Sequence, residues 1–353
     1  MRLWEKNIRQ VVPYVPGEQP AGDKIIKLNT NENPYPPAPG VKKVLADMEA
    51  DRLRKYPDPT ASVLVKELAA YYGLGEDQVF VGVGSDDVLA MSFLTFFNSD
   101  KPVLFPDVTY SFYKVWADLF KVPFETPALK EDFTIDTKDY AKENGGVIFP
   151  NPNAPTGVYM PLDQVEEILK ANQDVVVIVD EAYVDFAGPS ALELLDKYEN
   201  LLVVQTFSKS RSMAGMRIGF AMGHPNLIRA LNNVKYSYNS YTMNLPSLLA
   251  GVEAVKDKAY FESTLAKIVA TRERSKKRLA ELGFTFPDSR SNFIFASHES
   301  VPAEKIFEAL KKEQIYVRYF KTPGLDNSLR ISIGTDEEMD TLFRFLEAYL
   351  PNA

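Results

Sequence analysis

The chain has 353 residues, enough for a sizeable core and for two domains. Its 45% hydrophobic and 25% charged residues are the balance of an ordinary globular protein, and a net charge of −8 argues against a nucleic-acid partner, which calls for a basic surface. There is no cysteine, which excludes disulfides, thiolate-bound metals and thiol redox chemistry, and the two histidines, His224 and His298, stand too far apart in sequence to suggest a metal cluster.

The opening "MRLWEKNIRQVVPYVPG" has no apolar signal-peptide core, and no stretch reaches the length of a membrane span, so a cytoplasmic protein is expected. "NTNENPYPPAPG" at 29–40 stacks Asn and Pro, which favour turns over helix. The apolar spacing of Val63, Leu64, Leu68 and Tyr71 then predicts a helix over 60–73, with Thr60 or Ser62 as N-cap and Gly73 as its stop.

From there strands and helices alternate. Strands are expected at 78–84, 101–106, 145–150, 174–183, 201–207 and 217–223, with helices at 85–97, 109–120 and 161–172. The strands are apolar on both faces, as in a largely parallel sheet covered by helices on two sides. After residue 243 one or two long charged helices run to about 283. "NFIFAS", "IYVRYF" and "LRISIG" then alternate with two helices, which predicts a small α+β domain. The expected division is an N-terminal arm at 1–40, a large α/β domain at 41–245, and an interdomain helix with the small domain at 246–353.

In open α/β sheets ligands bind beyond the carboxyl ends of the strands, so the residues leaving each strand matter most. They are Gly84, Ser85, Asp86 and Asp87; Thr109 and Tyr110; "NPNAPTG" at 151–157; Asp180 and Tyr183; and Ser208 and Lys209. Together they offer a helix N-terminus, an aromatic ring, an Asn, a carboxylate, a phenol and an amine. That inventory suits pyridoxal phosphate, whose aldehyde takes a lysine amine, whose ring nitrogen takes a carboxylate and whose phosphate takes N–H groups, hydroxyls and an arginine. Taken alone, Lys209 fits a snorkelling surface lysine, Asp180 a cap and Tyr110 a packing residue; the whole set in this order does not. "GVGSDD" fails as a dinucleotide fingerprint because Asp87 stands where the third glycine belongs, and there is no P-loop and no G-x-S-x-G.

"TFSKSRSMAGMRIGF" at 206–220 resembles the lysine signature of the fold-type I pyridoxal-phosphate aminotransferases, and "NPNAPTG", "DEAY" and "YPD" at 56–58 belong to the same pattern. The resemblance covers nearly the whole chain. Within the family, "PYVPG", "LNTNENPYPPAP", "GVGSDD" and "YVRYFKTPGLDNSLRISIGT" are most similar to the histidinol-phosphate aminotransferase branch. The resemblance implies a mostly parallel seven-stranded sheet in the large domain. It implies that Lys209 binds the cofactor and shuttles the proton, that Asp180 pairs with the ring nitrogen, that Tyr183 bonds the ring oxygen, and that Tyr110 stacks on the ring. Ser85, Asp86, Thr206, Ser208 and Arg217 would form the phosphate pocket, and Tyr56 would reach the phosphate of a neighbouring subunit in a homodimer. Arg330 would grip the carboxylate of glutamate or the substrate phosphate, with Arg318 and Tyr14 also in the substrate pocket. One departure stands out: the family has Asn immediately before Pro-Thr-Gly, where this chain has Ala154. Asn153 is the expected substitute, ahead of Asn151.

The resemblance implies transamination between L-histidinol phosphate and 2-oxoglutarate. The rivals are an aminotransferase for aromatic amino acids, for which Tyr236, Tyr238 and Tyr241 would also suit the pocket, and a decarboxylase of O-phosphothreonine. A ligand-sensing domain of a transcription regulator would need a helix-turn-helix, and about 30 residues precede the family pattern.

Overall fold

In the computed structural model, which describes residues 2–22 and 24–353, two sheets organise the chain. A short helix α1 (Leu3–Lys6), an extended arm, β1 (Ile26–Leu28) and α2 (Pro39–Ala46) precede α3 (Ser62–Tyr72). There follow β2 (Val79–Gly82), α4 (Ser85–Phe96), β3 (Val103–Leu104), α5 (Phe112–Phe120), β4 (Phe124–Glu125), β5 (Gly146–Pro150) and α6 (Leu162–Ala171). Next come β6 (Val177–Asp180), β7 (Leu201–Thr206), β8 (Gly219–Gly223), α7 (Pro225–Tyr238), α8 (Leu245–Lys256) and α9 (Lys258–Glu281). The chain closes with β9 (Phe284–Thr285), β10 (Phe293–His298), α10 (Ala303–Lys312), β11 (Ile315–Tyr319), β12 (Leu329–Ser332) and α11 (Asp336–Tyr349).

The first sheet has seven strands in the order β2-β8-β7-β6-β5-β3-β4. All its pairs are parallel except those of β8, which runs antiparallel to both neighbours. This is the mostly parallel seven-stranded sheet expected from the sequence. Successive side chains point to opposite faces, and the two faces are separate apolar layers. Val147, Phe149, Val177, Val179, Leu201 and Val203 pack on one side, with Leu64 and Leu68 of α3 and Val165 and Ile168 of α6. Ile148, Ile178, Leu202 and Val204 pack on the other, with Leu89 and Phe93 of α4 and Trp116 of α5. Each such fully buried aliphatic side chain contributes about 1.5–3 kcal/mol.

The second sheet has five strands, β1-β11-β12-β10-β9. β1 lies parallel to β11, and the remaining pairs are antiparallel. Its core takes Ile268 and Leu279 from α9, Ile306 and Leu310 from α10, and Leu342 and Leu346 from α11. Ala154 and Tyr183, which leave strands of the first sheet, pack into this same cluster. The two sheets therefore meet around the carboxyl ends of β5 and β6. Among the described residues no helix is long and apolar enough to cross a membrane.

Three local expectations are corrected. α3 starts after Ala61, which is left-handed (φ 54°), and its first N–H, that of Ser62, is met by neither expected cap but by the Asp58 carboxylate (2.8 Å), which also accepts from the N–H of Thr60 just before the helix (2.9 Å). Tyr236 and Tyr238 sit on α7, a helix absent from the sequence reading, and with Tyr241 they are exposed and outside the cavities described below. β1, β4 and β9 are two or three residues long, too short to show alternation.

Asp58→Ala is expected to lower stability by about 1 kcal/mol in urea unfolding, as loss of a helix cap does. Thr60→Ala and Ser62→Ala should each cost less, because the backbone N–H groups keep their acceptor.

Candidate active site

Parallel strands end on one side of the sheet, and the register brings Pro150 beside Asp180 and Asp180 beside Val204, two residues short of Thr206. A cavity of about 470 Å³ opens there. Ser85, Asp86, Tyr110, Asp180, Tyr183, Thr206, Ser208, Lys209, Arg217 and Tyr14 all line it. Most of these residues end or follow a strand of the sheet, while Tyr14 comes from the N-terminal arm and Arg217 from the turn before β8.

Asp180 is the last residue of β6 and is buried. Its carboxylate accepts from Tyr113 Oη (2.7 Å) and from the N–H of Ala182 (3.3 Å). Burial pushes its pKa from the ordinary 3.8 up to about 6, against the two hydrogen bonds, because no cation faces it. Tyr113 is a partner the sequence reading missed. It lies three residues after Tyr110 in the helix expected over 109–120, which was the available signal. Glu181 points elsewhere: buried, it accepts from Ser190 Oγ (2.6 Å), the N–H of Ala191 (2.7 Å) and Gln205 Nε2 (2.9 Å), and burial raises its pKa from 4.5 to about 7.

Lys209 follows β7, and its Nζ donates to Thr30 O (3.1 Å) and lies 5.7 Å from the centre of the Tyr183 ring. Tyr110 donates to Asp86 Oδ1 (2.7 Å), and Arg217 Nη2 meets Asp86 Oδ2 at 3.3 Å. Thr206 Oγ1 accepts from the N–H of Ser208 (3.1 Å) and donates to Ser208 Oγ (3.0 Å). The first N–H groups of α4 have no acceptor within their own helix and carry the positive end of its dipole, so Gly84–Ser85–Asp86 is a ready anion cradle. Two glycines make it. A Cβ on Gly219 would stand 2.2 Å from Ser85 N, and one on Gly84 would stand 2.5 Å from Arg217 Nη2. β8 therefore approaches the start of α4 more closely than any other residue at 219 permits, and Gly84 holds a positive φ of 83° that would strain any other residue.

The turn after β5 carries the departure at Ala154, which lines the cavity. Asn151 is fully used inside the turn, since its Nδ2 donates to Met160 O (2.9 Å) and its Oδ1 accepts from Met160 N (2.8 Å). Asn153 donates to Val108 O and Thr156 Oγ1 (both 3.0 Å), while its buried Oδ1 has no partner. Asn153 does not itself line the cavity.

A second cavity of about 560 Å³ shares Tyr14, Tyr110 and Ala154 with the first and is lined by Arg318 and Arg330. The two arginines face each other across β11 and β12. Arg330 Nη2 donates to Asn29 O (3.0 Å), its Nε is buried without a partner, and its guanidinium lies 5.5 Å from the Phe293 ring centre. Burial, with a smaller contribution from Arg318, holds its pKa below the usual arginine value, and no carboxylate among the described residues offsets this. Tyr14 stacks on Phe112, ring centres 4.2 Å apart. Tyr56 is away from both cavities, 81% exposed, against Tyr241. A larger cavity of about 820 Å³, between residues 131–134 and 285–290, holds none of these groups.

These observations fit pyridoxal phosphate. Asp180 is a buried carboxylate with no cation beside it among the described residues, and the start of α4 offers backbone N–H groups beside Arg217, as a phosphate needs. The second cavity is lined by Thr109 and Arg330, each with a buried polar atom left without a partner.

The family model of aminotransferase class I and II matches residues 23–346, and the chain belongs to that family. It is 52% identical over 345 residues to the histidinol-phosphate aminotransferase of Brachyspira hyodysenteriae, covering 98% of both chains. To that of Clostridium acetobutylicum it is 53% identical over 338 residues, covering 96% of both. Among solved structures, a histidinol-phosphate aminotransferase from Clostridium acetobutylicum superposes with a TM-score of 0.86 at 25% identity, over 93% of this chain and 100% of that one. One from Sinorhizobium meliloti in complex with pyridoxal-5'-phosphate gives 0.83 at 26%, over 93% and 90%.

Asp180 and Glu181 both titrate higher in the folded chain than unfolded. The folded protein therefore holds protons between about pH 4 and 7 that the unfolded chain has released, and stability present at the low end is lost as pH rises through 6 and 7. Cofactor-free protein should show a falling urea midpoint from pH 5 to pH 8, and Asp180→Asn should flatten that fall. Parallel profiles for the two proteins would contradict the assignment.

Proposed function

We propose that this chain is a cytoplasmic pyridoxal-phosphate-dependent aminotransferase of histidine biosynthesis, transferring the amino group of L-histidinol phosphate to 2-oxoglutarate. The observation that carries the substrate is the arginine pair, Arg318 and Arg330, without carboxylate partners among the described residues and opening onto the lysine cavity through Tyr14 and Tyr110. A phosphate or a carboxylate is what such a pair binds, and the alternating substrates present one of each. Tyr14, stacked on Phe112, offers an aromatic wall for the imidazole.

Bound pyridoxal phosphate supplies an electron sink for the pair left when the Cα–H bond of the amino donor breaks. Lys209 Nζ takes that proton and later returns one, so it must be neutral when it acts. Asp180 keeps the ring nitrogen protonated, and Tyr113 holds Asp180 in place. Tyr183 donates toward the ring oxygen and Tyr110 covers the ring. Ser85 and Asp86 offer backbone N–H groups to the phosphate, and Thr206, Ser208 and Arg217 complete that cradle. Asn153 is placed to support the turn beside the ring.

The partner is a second copy of the chain, which Tyr56 enters to meet the phosphate. Leu53, Tyr56, Tyr236, Tyr238 and Tyr241 are exposed apolar or aromatic side chains, and that supports an interface there. In this reading residues 1–40 are an arm to the substrate site and small domain, 41–245 the cofactor domain, and 246–353 the interdomain helix and small domain.

Adding L-histidinol phosphate without a keto acid to the cofactor-loaded protein should remove its visible band and yield pyridoxamine phosphate. Lys209→Ala should lower turnover by more than about 10³-fold while keeping some cofactor through the phosphate cradle. If only L-phenylalanine or L-tyrosine bleaches the band, the enzyme is an aromatic aminotransferase. Release of carbon dioxide from O-phosphothreonine would make it a lyase.

A further inference from the structure

The segment after β1 crosses the lysine cavity and touches it at three points. Thr30 O accepts from Lys209 Nζ, Asn33 Nδ2 donates to the carbonyls of Lys209 and Ser210 (both 3.1 Å), and Asn31 Nδ2 donates to Tyr183 Oη (3.0 Å). Asn31 is buried and holds a left-handed backbone, φ 56°. Every polar atom it has is used. Its N–H donates to Ser332 Oγ (2.8 Å), Ser332 Oγ donates to its Oδ1 (2.9 Å), and its carbonyl accepts from Asn292 Nδ2 (2.9 Å).

Ser332 decides which way the Asn31 amide points. The Ser332 hydroxyl has one proton and already accepts from the Asn31 N–H, so that proton goes to Oδ1. The reverse amide orientation would turn Nδ2, a donor that cannot accept that proton, toward the hydroxyl and break the bond from Ser332 Oγ to Oδ1. Nδ2 therefore faces Tyr183. The phenol oxygen of Tyr183 accepts from Nδ2, and its own proton is left free to point into the cavity that Tyr183 lines. This matters more here because Ala154 offers no side-chain donor, and the amide nitrogens of Asn151 and Asn153 donate to Met160 O, Val108 O and Thr156 Oγ1 instead.

We propose that Asn31 is a positioning residue that aims the Tyr183 hydroxyl proton at the ring oxygen of bound pyridoxal phosphate and anchors that aim to β12 through Ser332. The inference rests on the reading of Tyr183 as the donor to that oxygen.

The test is the pH titration of the visible absorption of cofactor-loaded protein. The high-pH form carries more negative charge on the ring oxygen, so a donor there stabilises it and loss of the donor raises the apparent pKa. Tyr183→Phe should raise it by about one unit, and Asn31→Gly, which keeps the left-handed backbone accessible, by about half a unit. Ser332→Ala, which frees the amide to rotate, should shift it the same way and provides a second route if Asn31→Gly folds poorly. In the Tyr183→Phe background Asn31→Gly should add almost nothing, whereas a merely structural role would add its own shift. A normal titration in both Asn31→Gly and Ser332→Ala beside a shifted Tyr183→Phe overturns the inference and leaves the donor reading intact. Additive shifts also overturn it. An unshifted Tyr183→Phe removes the donor reading and the inference together.

Discussion

A carboxylate buried without a cation is the constraint around which this fold is arranged. Asp180 ends the central strand β6, between β5 and β7, and is buried at the floor of the lysine cavity. Two hydrogen bonds do not offset the cost of removing its charge from water, and the rise in its pKa expresses the remainder. A protein keeps such a group where a ligand brings the missing charge. The parallel register, the buried Tyr113 and the two apolar layers of the sheet all serve to hold that oxygen pair still.

The rest of the site is built from close backbone approaches. Gly84 and Gly219 let β8 press on the start of α4, which collects N–H groups and Arg217 at one point. The segment 29–33 then bridges from the second sheet, tying Lys209 and Tyr183 to Arg330 and Ser332 of β12 through short polar contacts. Cofactor side and substrate side are thereby joined by one strip of chain, and movement of the five-stranded sheet relative to the other would be felt at both.

Much of this was legible in the sequence, for identifiable reasons. Strands β5, β6 and β7 are continuous apolar runs, and the residues that leave them carry the chemistry, so Asp180, Tyr183, Ser208 and Lys209 could be read as strand exits. Their convergence in one cavity required only that the strands be parallel. Other features left no local trace. β1 hides in an Asn- and Pro-rich arm because its pairing is with β11, almost 290 residues later. The cap of α3 comes from Asp58, outside the helical pattern, and the tyrosines of α7 face outward because that helix buries Ile228 and Leu231 instead. Asn31 is the clearest case. Nothing in "NTNEN" marks one Asn of three, and only Ser332 and Tyr183, brought in from two other elements, single it out.

The central claim is that Asp180 is held for a cationic ring nitrogen, and infrared difference spectroscopy of the carboxyl region at pH 5, with Asp180→Asn as reference, tests it most directly. The account predicts a protonated-carboxyl band in the cofactor-free protein that is absent from Asp180→Asn and disappears when pyridoxal phosphate is bound, as the cation draws the proton off. A band that persists unchanged on cofactor binding would contradict it.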